Sequence, residues 1–251
     1  MKTARSGTRA ARTARTPGSD APPARRPALG RHKAATRITP AYHHGDLRNA
    51  LLVATEGLLN DVGLEGFTLR EVARRAGVSH GAPAHHFGDV RGLLTGFTAQ
   101  SFQQLASAMA ARRAASPPGA FEQLVATGLA YVDYALAHRA RFQLMFRSDC
   151  LDQHQAPLTD AGSHSYGHLV DCISALAREI GAPDHRLAEK TALAWSIVHG
   201  FATLMIDNQA FAAQAGGDVA RALAMVEAML SLSRPAFCEG RQDSSNVRKG
   251  A

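Results

Sequence analysis

The sequence predicts an all-α protein, with a three-helix N-terminal unit followed by a larger helical domain. From residue 46 onward, apolar residues recur three or four positions apart, as they do on one face of a helix. Glycine, proline or a capping side chain bounds each such stretch, and no segment alternates with period two over a useful length. The 251 residues are 45% hydrophobic, which is sufficient for a sizeable core.

Residues 1–39 differ from the rest in charge and composition. They carry ten Lys and Arg residues against one acid, Asp20, and almost no large apolar side chains. The remaining chain carries 18 basic and 20 acidic residues, so the formal net charge of +7 comes from this segment. Because so polar a segment cannot offset the entropy of ordering, we predict a disordered basic arm. Such an arm is either simply solvated or strengthens binding to a polyanion.

Composition disfavours several classes of protein. Three widely spaced cysteines, Cys150, Cys172 and Cys238, form neither a disulfide framework nor a thiolate zinc motif. No apolar run is long enough to cross a bilayer, and the N-terminus lacks the apolar segment of a signal peptide. We therefore expect a cytoplasmic protein without membrane contact.

The first two helices are indicated by one apolar face and one capping motif. The second helix begins at Thr68, which forms a capping box with Glu71, and ends at Gly77 after two turns. The first runs from about residue 46 to Gly63 and has one apolar face, made by Leu47, Leu51, Ala54 and Leu58.

Two further helices are predicted from their N-caps. Ser79 is a suitable cap for a short third helix that ends at about Phe87. Pro83 falls at the start of this helix, where a missing N–H costs least. Asp89 caps a fourth helix that continues to about Arg113.

The larger domain is predicted as a series of helices with short breaks. The segment 148–163, which contains Pro157 and Gly162, is predicted as a loop, and residues 235–251 as a disordered tail. Beyond the break at 116–119, the predicted helices span 121–137, 140–146, 164–180, 185–213 and 217–232.

Residues 68–87 have the layout of a helix-turn-helix, with a capped helix, a glycine turn and a second short helix. Ala73 is small where the two helices must cross, and Gly77 can adopt the left-handed conformation of a tight turn. Val72 and Val78 are placed to point into the core. An ordinary helical hairpin is the alternative on these residues alone.

The stretch YHHGDLRNALLVATEGLLNDVGLEGFTLREVARRAGVSHGAPAHHFGDVRGLL, residues 42–94, resembles the DNA-binding domain of the TetR family of bacterial transcriptional regulators. Further on, WSIVHG at 195–200 and HRARFQLMF at 138–146 resemble the regulatory domain of the subgroup called the WHG type. The resemblance implies a DNA-binding domain at 40–94 and a regulatory and dimerisation domain at 95–234.

This resemblance implies a homodimer that places its third helix in the major groove of a palindromic operator. A small molecule bound in the larger domain would release the DNA, and repression is the family default. The residues expected to contact DNA are Thr68, Arg70, Ser79, His80, Gly81, Ala82, Pro83, Ala84 and His85.

Two positions depart from the family pattern. Ala84 stands where the family usually has tyrosine, and Val90 where lysine is common, so two phosphate contacts are lost per subunit. Residues 40–93 also carry five arginines against six acids. The alternative function is therefore a small-molecule-binding helical protein with a weakened DNA-binding head.

The regulatory domain is expected to hold an apolar or aromatic effector among its central helices. The candidate lining residues, each of which could equally be plain core, are Tyr131, Phe142, Met145, Phe146, Trp195, His199 and Met205. Dimerisation is expected through the helices at 185–213 and 217–232. Their apolar stripes contain Ala192, Leu193, Ala202, Leu223, Val226 and Leu230.

Metal binding and catalysis are disfavoured. His80, His85 and His86 lack the i, i+4 spacing that places two imidazoles on one helix face. His199 and Cys172 could be imagined as a catalytic pair, but nothing in the sequence brings them together. We expect no catalytic residue, metal or cofactor.

Overall fold

The computed structural model describes residues 44–182 and 186–239. Over these ranges the protein is all-α, as predicted, with eleven helices and no strand. The helices are α1 (His44–Val62), α2 (Leu69–Ala76), α3 (Ala82–Phe87), α4 (Val90–Ala114), α5 (Ala120–Ala137), α6 (Arg139–Met145), α7 (Ala156–Glu179), α8 (Leu187–Asp207), α9 (Gln209–Gln214), α10 (Val219–Leu232) and α11 (Arg234–Phe237).

The N-terminal head consists of α1 to α3 and the first turns of α4. Its core contains Leu51, Leu58, Val72 and Phe97, all fully or almost fully buried. Thr68 Oγ1 accepts a hydrogen bond from the Glu71 N–H, as predicted. The reciprocal bond of the capping box is not formed, since the Glu71 carboxylate instead accepts hydrogen bonds from two arginines of its own helix.

The larger domain, the body, is built around α5, which packs against α4, α7, α8 and α10. Most of the side chains of α5 are buried, including Phe121, Leu124 and Val132. Gly128 lies at its closest approach to the neighbouring helices, because a Cβ there would come within about 3 Å of Val198 and Leu230. Because α5 is surrounded by other helices, most of its residues and those that face it must be apolar.

Three predicted boundaries are wrong. Helix α7 begins at Ala156, inside the predicted loop, because Pro157 is tolerated in a first turn and Leu158 is buried below it. The predicted helix 185–213 is divided at Asn208, whose side chain caps α9 by accepting from the Phe211 N–H. Ser79 does not cap α3, which begins three residues later, with Gly81 at the N-cap position.

The predicted C-terminal tail starts too early. Residues 234–237 form α11, and Phe237 is completely buried in the core of the body. Residues 240–251 and the predicted arm at 1–39 lie outside the described residues.

The head is joined to the body by a buried ion pair. Arg141 of α6, only 5% exposed, donates from Nε and Nη2 to the two carboxylate oxygens of Glu56 of α1, both at 2.6 Å. The guanidinium also lies 4.3 Å from the ring centre of Phe97 and 3.3 Å from Ser101 Oγ, both on α4. Hydrogen bonding from Arg141 lowers the pKa of Glu56 from its ordinary value of 4.5.

The burial of Phe237 predicts that α11 is part of the stable fold. Substitution Phe237→Ala should lower the free energy of unfolding by about 3–5 kcal/mol, since it leaves a cavity in the core. Pro235→Ala, an exposed change in the same helix, should have little effect. Urea unfolding followed by circular dichroism would measure both, and equal stability of the two variants would contradict the packing described.

The Glu56–Arg141 pair predicts a specific acid dependence. Substitution Arg141→Met should cost about 3 kcal/mol at pH 7, because it removes the guanidinium from the half-buried Glu56 carboxylate and leaves His138 Nδ1, 3.4 Å away, as its neighbour. In the unsubstituted protein the contribution is complete above pH 4.5, the ordinary pKa, and is lost as the pH falls through the lowered folded pKa.

The difference between the two proteins should therefore shrink in acid. Urea unfolding at pH 7 and in acid would test this, with Arg139→Met as an exposed control on the same helix. A difference in stability that is independent of pH would argue against the ion pair.

Candidate nucleic-acid interface and effector cavity

The two short helices of the head are held by a tight glycine turn. Gly77 adopts φ 69° and ψ 29°, the left-handed conformation predicted for it. The N–H of Val78 then donates to the Ala73 carbonyl at 3.0 Å, which closes the end of α2. Helix α3 begins at Ala82, with Pro83 in its first turn, where no N–H is required.

Most residues expected to contact DNA lie on the outside of this unit. Ala82 is partly buried. Pro83 is buried within the head, which argues against the prediction that it contacts DNA. The exposed residues are Thr68, Arg70, Ser79, His80, Gly81, Ala84 and His85.

The arginines of the head are largely engaged within the protein. Arg74 and Arg75 both donate to Glu71, and Arg75 also donates to Asp61. The hydrogen bonds from Arg74 and Arg75 lower the pKa of Glu71 to about 2, so this acid stays charged beside the two arginines. Arg48 lies over the ring of Phe87. The exposed positive charge is therefore smaller than the count of arginines indicates.

Arg91, in the first turn of α4, ties the head to a loop of the body. Its guanidinium donates to the carbonyl oxygens of Leu151 and Asp149, at 2.7 and 2.9 Å. One turn later, Thr95 Oγ1 accepts from the Asp152 N–H at 2.9 Å. We call this loop, residues 147–155, the clasp loop. Sequence reasoning missed the role of Arg91, because no local pattern shows that these carbonyls need a donor.

The body contains a cavity of about 230 Å³ between α4, α5, α7 and α8, which we call the core cavity. Three of the predicted effector residues, Tyr131, Phe146 and Trp195, line it. Phe102 and Tyr166 also line it but were not predicted. Tyr166 was missed although it lies in the predicted helix 164–180, because helical periodicity does not show which side chains border a cavity.

The remaining predicted effector residues lie elsewhere. Phe142 and His199 line a separate, open cleft of about 520 Å³ between the end of α1, α6 and α8. Met145 and Met205 are buried, and Met205 belongs to the core of the body. Phe146 lines both spaces and is 40% exposed, so its ring forms part of the wall between them.

A hydrogen-bonded pair forms another part of this wall. The Tyr131 hydroxyl lies 2.8 Å from His199 Nδ1, and the rings of Phe142, Phe146 and Trp195 surround the imidazole at centroid distances of 4.5–5.6 Å. Burial raises the pKa of Tyr131 and lowers the pKa of His199. Both groups are therefore neutral near pH 7.

Two family models match the two parts of the chain. The model of the bacterial regulatory proteins of the TetR family matches residues 51–96, and a tetracycline-repressor-like C-terminal domain matches 124–230. The chain is 31% identical over 160 residues to the HTH-type transcriptional regulator BetI of Cronobacter sakazakii, which covers 63% of this chain and 75% of that protein. The chain belongs to the TetR family of bacterial transcriptional regulators.

Other relatives agree with this family. BetI of Escherichia coli is 41% identical over 76 residues, which cover 30% of this chain and 39% of that protein. A Rhodococcus protein of unknown function has 29% identity and a TM-score of 0.63, over 76% of this chain and 97% of that one. The TetR-family regulator PfmR of Thermus thermophilus has a TM-score of 0.58 over 78% and 97% of the two chains; at 17% identity it supports the fold alone.

The two family models match residues in both the head and the body. The assignment to the WHG subtype stays a prediction. In the parts of the chain that the structure describes, no helix is long and apolar enough to cross a membrane. The same residues contain no group of three or more side chains that could hold a metal ion.

The exposed apolar side chain of Val90 predicts a gain of DNA affinity on substitution. Val90→Lys should tighten binding to any duplex DNA by about threefold to tenfold at low salt, since it adds a phosphate contact in each subunit. Val170→Lys makes the same change at an exposed position on α7 and should have no such effect. Fluorescence anisotropy with labelled duplex at several salt concentrations would measure both. If the DNA affinity of the two variants depended on salt in the same way, Val90 would not lie at the DNA interface.

Proposed function

We propose that this TetR-family regulator is a ligand-responsive repressor that binds a palindromic operator as a homodimer. Its α3 would enter the major groove, and a small apolar or aromatic molecule in the core cavity would release the DNA. The observation that carries the proposal is the pair of hydrogen bonds from Arg91 to the clasp loop, because this loop directly follows Phe146 of the cavity wall.

Base reading would fall to the exposed part of α3 and the turn before it. His85 and Ser79 offer hydrogen-bonding groups for base edges, and Gly81 and Ala84 let the backbone approach the groove. Thr68 Oγ1 caps α2 by accepting from Glu71 N–H, which leaves its own proton free for a phosphate oxygen. These contacts remain proposals derived from the family and from exposure.

Release would follow from a shift of Phe146. A ligand in the core cavity that displaces this ring also displaces the clasp loop, which begins at the next residue. The hydrogen bonds to Arg91 and Thr95 transmit that shift to the first turns of α4. Only Gly88 and Asp89 separate α4 from α3, so the orientation of α3 changes with it.

The outer faces of α8 and α10 are the proposed dimer interface. Of the predicted stripe, Ala202, Val226 and Leu230 face the core of their own subunit, so these three cannot contact a partner. The exposed apolar side chains on the two helices include Leu193 and Leu204 of α8 and Met229 and Leu232 of α10. Pairing two copies of this surface would remove these side chains from water.

Binding to the protein's own promoter region, by mobility shift against excess nonspecific DNA, tests the proposed function. The unsubstituted chain should be retained specifically, and His85→Ala should weaken binding by about tenfold or more because it removes a base contact. His154→Ala, an exposed histidine in the clasp loop, is the matched control. Retention that the competitor abolishes would favour the alternative, a small-molecule binder whose head has lost specificity.

The basic segment 1–39 supplies a separate prediction, based on its sequence alone. We expect it to add contacts to the DNA backbone, since the head itself has little free positive charge. Deleting residues 2–39 should weaken binding to all sequences alike and flatten the dependence of log affinity on log salt. The same mobility shift at two salt concentrations measures this, and an unchanged slope would show that the segment does not contact DNA.

A further inference from the structure

The core cavity contains one deeply buried polar group without a partner. Ser165 of α7 is 5% exposed and lines the cavity, and among the described residues its hydroxyl makes no hydrogen bond. Two other buried hydroxyls on helices of the body, those of Thr127 and Thr191, donate to the carbonyl four residues earlier. The Ser165 oxygen keeps some accessible surface, and a ligand in the cavity that it lines can supply the missing hydrogen bond.

Among the described residues, the other buried polar side chains that line the cavity are already engaged, whereas Tyr166, which also lines it, is 46% exposed. Thr127 Oγ1 donates to the Gln123 carbonyl at 2.8 Å and lies 3.3 Å from Cys172 Sγ. The Tyr131 hydroxyl is paired with His199 Nδ1. A polar atom of the ligand at the inner wall would therefore find its free partner at Ser165.

None of the described residues that line the core cavity carries a charge. Tyr131 is neutral because burial raises its pKa, and His199, behind it, is neutral because burial lowers its pKa. A carboxylate or an ammonium group would lose its hydration here without meeting an opposite charge. The lining of the core cavity therefore disfavours the binding of charged ligands.

The size of the cavity limits the ligand further. A cavity of about 150 Å³ accepts benzene, and the core cavity measures about 230 Å³. Phe102, Tyr131, Phe146 and Trp195 present ring edges and faces to this space, which suits an aromatic ring. One ring with a short substituent fills it.

We infer that the effector is a neutral, single-ring aromatic compound with one hydroxyl or carbonyl oxygen that hydrogen-bonds to Ser165. The inference rests on the proposed function, because it takes the core cavity to be the effector site. It adds to that function the chemical class of the ligand and the residue that recognises its polar atom.

Titration of the full-length protein with four small aromatic compounds tests this. The compounds are 4-methylphenol, toluene, 4-methylbenzoate and benzylamine, and the signal is the fluorescence of Trp195, the single tryptophan of the chain, which lines the cavity. We expect 4-methylphenol to bind more tightly than toluene, and both ions to bind more weakly than either.

The substitution Ser165→Ala isolates the hydrogen bond. It should weaken binding of 4-methylphenol by about twofold to tenfold and leave toluene unchanged, since toluene has no polar atom to lose a partner. Ser163→Ala, at an exposed position on the same helix, should change neither affinity. Thermal unfolding of both variants shows whether the fold is kept.

The outcomes separate the inference from the proposed function. If toluene and 4-methylphenol bind alike and Ser165→Ala alters neither, the role of Ser165 is wrong while the core cavity remains the effector site. Tightest binding of 4-methylbenzoate or benzylamine would overturn the neutral class. If no compound changes Trp195 fluorescence, both the inference and the effector site fail, whereas specific operator binding would still stand by its own measurement.

Discussion

The ion pair between Arg141 and Glu56 is the constraint on which the relation between head and body depends. One guanidinium satisfies a carboxylate of α1, lies over Phe97 and reaches Ser101 of α4. Such a pair tolerates little displacement, because separating the partners leaves a buried guanidinium and a half-buried carboxylate without each other. Three helices are therefore fixed to each other by one side chain of the seven-residue helix α6.

The same helix also shapes the core cavity. Phe146 follows α6 directly and lines the core cavity, and the clasp loop follows Phe146. Because the ion pair holds the N-terminal part of α6, displacement of Phe146 is more easily taken up by the clasp loop than by a shift of the whole helix. Arg91 and Thr95 hold that loop through backbone groups, which ties it to α4 independently of the loop's side chains.

The features predictable from the sequence are those fixed by local chemistry. Thr68, Gly77 and Asp89 act at helix ends as predicted, because caps and left-handed turns depend on residues within one turn of each other. Pro157 led to the wrong prediction of a loop, since proline interrupts the interior of a helix but is tolerated in its first turn. The burial of Leu158 favours the second alternative, a helix that begins here.

The errors at the site also arise from tertiary packing. Pro83 lies within the run predicted to face DNA, but the head covers it, and no helical period in six residues could show this. No pattern in the sequence marks Ser165 as a ligand-binding residue. Its proposed role follows from the absence of a carbonyl partner for its hydroxyl and from the cavity beside it. Phe237 was assigned to a tail since four residues are too few for a recognisable helical period.

On the proposed function, the head contributes sequence specificity rather than general affinity for DNA. Arg74 and Arg75 are paired with Glu71, whose pKa of about 2 keeps the opposing charge in place at every physiological pH. A reading surface with so little free positive charge binds arbitrary DNA weakly, because backbone neutralisation supplies most nonspecific affinity. On the proposed function, hydrogen bonds from α3 then account for a larger share of the total binding, which raises the ratio of specific to nonspecific affinity. On the proposed function, the basic segment 1–39 restores general affinity without contributing to the recognition of sequence.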